Sequence, residues 1–173
     1  MLNLNAAFAE QCQVVSAFVP VDLQTAANTG DWVSMKGYER CTFIFFAAAG
    51  TAGDDPTITA LQTVDVADTG SVNKAVSFAG GVVYTKMGTL TAVGEFTKST
   101  TTTANTHTDA TSAEVQKIWV VDIKGEDLDV DGGFDCVRVS VGDVGGNAQL
   151  GCGLYILWGA RYGKPALLSA IVD

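Results

Sequence analysis

Thr29-Gly30-Asp31-Trp32-Val33-Ser34-Met35-Lys36-Gly37-Tyr38-Glu39-Arg40-Cys41-Thr42-Phe43-Ile44-Phe45-Phe46 decides the fold of this chain. Residues 31–35 alternate, with Trp32 and Ser34 on one side and Val33 and Met35 on the other, as a strand at a sheet surface does. A tight turn follows, and residues 40–48 are then nearly all apolar. Such a short, aromatic-rich run predicts a strand lying in the interior of a β-sandwich. Gly50-Thr51-Ala52-Gly53-Asp54-Asp55-Pro56 closes the unit as a loop; its paired aspartates before proline are turn formers. The whole stretch contains no catalytic set.

Outward from this unit the pattern repeats. Residues 14–21 read as a first strand ended by Pro20, and residues 57–64 alternate cleanly as another. Asp68-Thr69-Gly70-Ser71 marks a turn, residues 72–78 and 82–87 read as strands around Gly80-Gly81, and residues 89–96 give a weaker signal. Residues 98–112 are threonine-rich and polar, which predicts a long exposed loop. Ile118-Trp119-Val120-Val121-Asp122-Ile123, residues 134–141 and residues 150–160 complete the strands. Gly151 and Gly153 interrupt the last of these, where a neighbouring element approaches closely.

Eight to ten short strands at this turn spacing predict an all-β, single-domain sandwich, jelly-roll-like, over residues 14–173. An immunoglobulin-like topology is the alternative, because pairing order is not written in the pattern. Residues 1–13 precede the first strand as a short N-terminal arm or helix. The expected core is Phe43, Phe45, Ile58, Leu61, Trp119, Val121, Val137, Val139, Tyr155 and Leu157.

Composition narrows the function. The 173 residues are 47% hydrophobic and only 17% charged, so apolar surface is left for self-association. A formal net charge of −9 repels phosphate backbones and argues against direct nucleic-acid binding. No apolar run reaches the ~18 residues of a membrane span. Met1-Leu2-Asn3-Leu4-Asn5 lacks the basic start of a signal peptide, so the chain is expected to be cytosolic when made. Cys12, Cys41, Cys136 and Cys152 are scattered without a Cys-x-x-Cys pair, which predicts buried, reduced thiols.

Residues able to carry chemistry are few. His107, the lone histidine, falls in the threonine-rich stretch and is expected to be solvated, far from any nucleophile. Gly142-Asp143-Val144-Gly145-Gly146 lacks the lysine of a phosphate loop. Asp127, Asp129 and Asp131 followed by Gly132 match the opening half of a calcium loop, but the twelfth place is Arg138 instead of a carboxylate. These three aspartates remain a weak metal candidate beside the plainer reading of an acidic turn. Trp32, Trp119 and Trp158 each sit in a strand-like run and suit a core or a subunit contact. The expectation is no enzyme and no cofactor.

The 29–56 unit, Gly125-Glu126-Asp127-Leu128-Asp129-Val130-Asp131-Gly132-Gly133-Phe134-Asp135-Cys136-Val137-Arg138, and residues 150–173 with Tyr162-Gly163-Lys164-Pro165 and Pro165-Ala166-Leu167-Leu168-Ser169-Ala170-Ile171-Val172-Asp173 resemble small structural proteins of tailed bacteriophages, of the capsid decoration (cement) type. The resemblance implies a virion protein that sits as a homotrimer on the capsid exterior, contacts the major capsid protein and braces the shell. It also implies synthesis in the host cytoplasm. A tail or head–tail connector subunit is the alternative within virions, and a carbohydrate-binding sandwich the alternative outside them.

Overall fold

The computed structural model describes residues 5–69, 72–78, 82–91, 93–100, 105–111 and 115–161. Two antiparallel sheets face each other as a sandwich, as the sequence predicts. The first contains β1 (Gln13–Asp22), β3 (Tyr38–Ala47), β6 (Val83–Gly88), β7 (Thr97–Lys98), β9 (Gln116–Lys124) and β11 (Leu150–Ala160), in the order β1-β11-β3-β9-β6-β7. The second contains β2 (Val33–Ser34), β4 (Thr57–Thr63), β5 (Lys74–Ala75) and β10 (Cys136–Val141), in the order β2-β10-β4-β5. Strand β8 (Thr106–Thr108) also pairs with β4. Helix is confined to α1 (Phe8–Gln11) and a 3-10 turn at Gly125–Asp127, with the Glu10 carboxylate accepting the Ala7 N–H at 2.8 Å to start α1.

Nine of the ten expected core residues are fully buried between the sheets. Each such side chain contributes about 1.5–3 kcal/mol on leaving water. Phe43 packs on Tyr155 at 5.5 Å between ring centroids, and Phe45 on Trp119 at 5.4 Å. The exception is Leu61. Ile58, Ala60 and Gln62 take the inward side of β4, so the two-residue period turns Leu61 to the outer face, half-buried. Gln62 is tolerated inside because its Nε2 donates to the Ala75 carbonyl at 3.0 Å and its Oε1 accepts the Asp129 N–H at 2.8 Å.

Other boundaries shift for physical reasons. Pro20 does not end β1, which runs on to Asp22: β1 is an edge strand with register irregularities after Ser16 and Phe18, where a missing N–H costs no ladder bond. Residues 72–78 yield only the two-residue β5, and none of the described residues in 89–96 forms a strand. Gly80 and Gly81 lie outside the described residues, as do residues 1–4 of the expected arm.

The glycines of β11 act as expected. A Cβ on Gly153 would lie 2.6 Å from a Phe18 ring carbon and 2.8 Å from one of Phe43, and a Cβ on Gly151 would lie 2.8 Å from Leu23. The missing side chains are what let β1 and the core close over β11.

Candidate interaction surface

Strand β3 was expected in the sandwich interior, and its inward side lies there. Cys41, Phe43, Phe45 and Ala47 point into the sandwich, whereas Arg40, Thr42, Ile44 and Phe46 line the outer face of the six-stranded sheet. The unbroken apolar run therefore signals an apolar outer face, not a doubly buried strand.

Register extends this face across the sheet. Leu154, Ile44, Val120 and Tyr84 lie side by side on β11, β3, β9 and β6. Cys152, Phe46, Ile118 and Lys86 form the next row towards one end, and Ile156 stands beside Val14 towards the other. Phe46 is 49% exposed, Val14 48%, Leu154 39% and Tyr84 37%. Polar groups gather at the Ile156 end. Arg40 pairs with Asp122 and lies over the Trp158 ring at 5.3 Å, and Trp158 Nε1 donates to Thr42 Oγ1 at 2.9 Å. These groups satisfy one another at this end of an apolar field whose other end carries Lys86 beside Ile118.

The residues singled out for chemistry are placed differently from one another. His107 is not solvated: it sits on β8 opposite Ile58, 1% exposed, with its ring edge-on to Trp119 at 4.8 Å. Asn105 fixes this segment: its backbone carbonyl accepts the Ala60 N–H at 2.9 Å, and its side-chain amide donates to the Ala60 carbonyl at 3.1 Å. Burial lowers the pKa of His107, and the charge of Asp109 opposes that shift. Its Nδ1 lies 3.4 Å from Ser99 Oγ, but the ring is closed off from solvent. The overlooked signal was threonine itself, which is β-branched and suits strands, here flanking the histidine on both sides.

The calcium-like carboxylates are occupied separately. Asp127 accepts the Lys124 N–H at 3.1 Å, and Asp129 accepts the Gly132 N–H at 3.0 Å while pairing with Lys74. Lys74 first, and Gly132 second, hold Asp129 below the usual carboxylate range. Asp131 is exposed. Among the described residues, no group of three or more His, Cys, Asp or Glu side chains is placed to hold a metal ion. No described helix is long and apolar enough to cross a membrane.

The three tryptophans divide. Trp119 is core, Trp158 lies on the outer face, and Trp32 is capped by Arg138 at 4.2 Å from its ring with Nε1 donating to Asp68 at 3.1 Å. Cys12, Cys41 and Cys136 are buried free thiols, and burial pushes Cys136 up to about 12. Cys152 is half-buried on the outer face.

No protein family matches the chain, and no curated protein does. Among solved structures, the SPBc2 prophage-derived protein YomS aligns over 84% of this chain and 92% of its own, at 13% identity and a TM-score of 0.36. The structure of infectious bursal disease virus Gx strain aligns over 86% of this chain and 42% of its own, at 11% identity and a TM-score of 0.20. Both scores are too low to bear on topology or function.

Proposed function

We propose that this chain is a structural subunit of a tailed-phage virion, a decoration protein that binds the outside of the head and braces the shell. The observation that carries the reading is the largely apolar outer face of the six-stranded sheet, which offers contact area and not reactive groups. The resemblance of the 29–56, 125–138 and 150–173 segments to decoration-type proteins supplies the setting. The net charge of −9 favours a position away from packaged DNA, and the partner is the major capsid protein. The work is mechanical: many weak contacts spread over a surface resist rupture, and no cofactor or turnover is needed.

The test compares heads assembled with and without this chain. Heads lacking it should rupture at a lower temperature, and electron microscopy should place its density on the outer shell. Equal rupture temperatures, or density in the tail, would refute the reading.

A further inference from the structure

We propose that His107 is a pH-sensitive latch: a proton on its ring lifts β8 off β4 while both sheets stay folded. Strand β8 is lightly held for one that closes over the core. It is three residues long and pairs with β4 alone among the described strands. Beyond that ladder the segment is tied by Asn105, whose carbonyl accepts the Ala60 N–H, and by a contact between the Thr57 and Thr108 hydroxyls. The side chain that β8 sends inward is His107, buried beside the Trp119 ring.

That place suits a neutral ring. Neutral imidazole has one N–H, and Ser99 Oγ lies within reach of Nδ1 to share it. Imidazolium has two, and Nε2 is buried with no described hydrogen-bond partner. Trp119 brings no relief, because its own Nε1 N–H is buried without a described acceptor. Neighbouring charges do not compensate. Strand β4 carries none, and β6 beside Trp119 turns Thr85 inward and Lys86 outward. On β9 the fully buried side chain next inward from Trp119 is Lys117, not a carboxylate, and Lys98 before Ser99 is exposed. Asp109, on the latch segment itself, already accepts the N–H and hydroxyl of Thr111, and burial outweighs its pull on the ring. A proton is therefore accommodated with the ring in water. Freeing β8 achieves this by breaking one short ladder, whereas unfolding the sandwich gives up the whole core. The release uncovers Ile58 and Trp119. It is a property of the free chain and stands independently of head decoration.

Native-state hydrogen exchange of the full chain at pH 7.5 and pH 5.5 tests the latch. With the closed ring neutral and the released ring titrating near about 6.5, the released population rises about 10-fold between these values. The protection factor of the Ala60 amide should fall by that factor. Dilute urea should leave it unchanged at either pH, because lifting a three-residue strand exposes little surface. Amides of the β3–β9 ladder open with the whole sandwich and should lose protection in urea. His107→Phe keeps a ring beside Trp119 and takes no proton, so its Ala60 protection should be equal at the two pH values. Near-ultraviolet circular dichroism reports whether that variant is folded, and the pH and urea arms on the parent chain decide without it. An Ala60 amide that follows urea as the β3–β9 amides do makes the opening global and overturns the proposal. So does equal Ala60 protection at both pH values in the parent, or a fall of the same size in folded His107→Phe.

Discussion

His107 carries the largest reversal between sequence and structure, and its titration makes that reversal measurable. Burial favours the neutral ring in the folded chain, whereas the unfolded chain takes up a proton near the ordinary value of about 6.5. Below that value the unfolded state binds more protons, so stability present at neutral pH is lost as pH falls. Thermal unfolding between pH 7 and pH 5 should therefore show a drop that His107→Phe, which keeps a ring against Trp119, lacks. Identical pH profiles for the two proteins would show that the ring titrates freely. Gly153 gives a second test at this scale. Gly153→Ala places a methyl against Phe18 and Phe43 inside the core, and overpacking of this kind costs about 1–3 kcal/mol, readable as a lower denaturation midpoint. The glycine was legible as a point of close approach because a strand interior has no other use for it. His107 and Leu61 were not, since polarity was taken for exposure in one case and apolarity for burial in the other. Only the pairing of β4 and β8 fixes which way each side chain faces.

Among the elements, β10 and β11 show how the two sheets are tied together. The hydroxyl of the buried Tyr155 on β11 accepts the Val139 N–H of β10 at 2.8 Å and lies 3.4 Å from the Val139 carbonyl oxygen. It takes the place of a strand partner in the stretch where β10 has passed β2 and not yet reached its bridge at Asn28. Gly30 makes the reach possible, since a Cβ there would collide with the Val139 carbonyl oxygen and lie 2.8 Å from the Tyr155 hydroxyl. Tyr155→Phe should leave the Val139 N–H buried without an acceptor and lower stability by about 1–3 kcal/mol, measured by chemical denaturation. An unchanged midpoint would mean that another group satisfies it. Burial of Tyr155 could be read from the alternation of its strand. The role of its hydroxyl could not, because that depends on a contact between sheets. The apolar run of β3 placed it in the sandwich interior, but did not tell that Ile44 and Phe46 would line an apolar outer face.

At the level of the whole molecule, fold class followed from strand count, turn spacing and alternation, while strand order did not, because period and composition are silent about partners. Strand order has a further consequence, for how the chain acquires its shape during synthesis. Strand β11, the last of the described strands to be made, lies between β1, the first, and β3. At about 5–20 residues per second, β1 waits on the order of 10 s or more after translation before its neighbour exists. Until then β3 offers an open edge, and β1 has no described strand to pair with. The growing chain passes through a window in which its most apolar strand can pair with the wrong chain, and closure is a single late insertion. That window ties yield to the crowding of nascent chains, so a folding helper would act on β3 before β11 arrives.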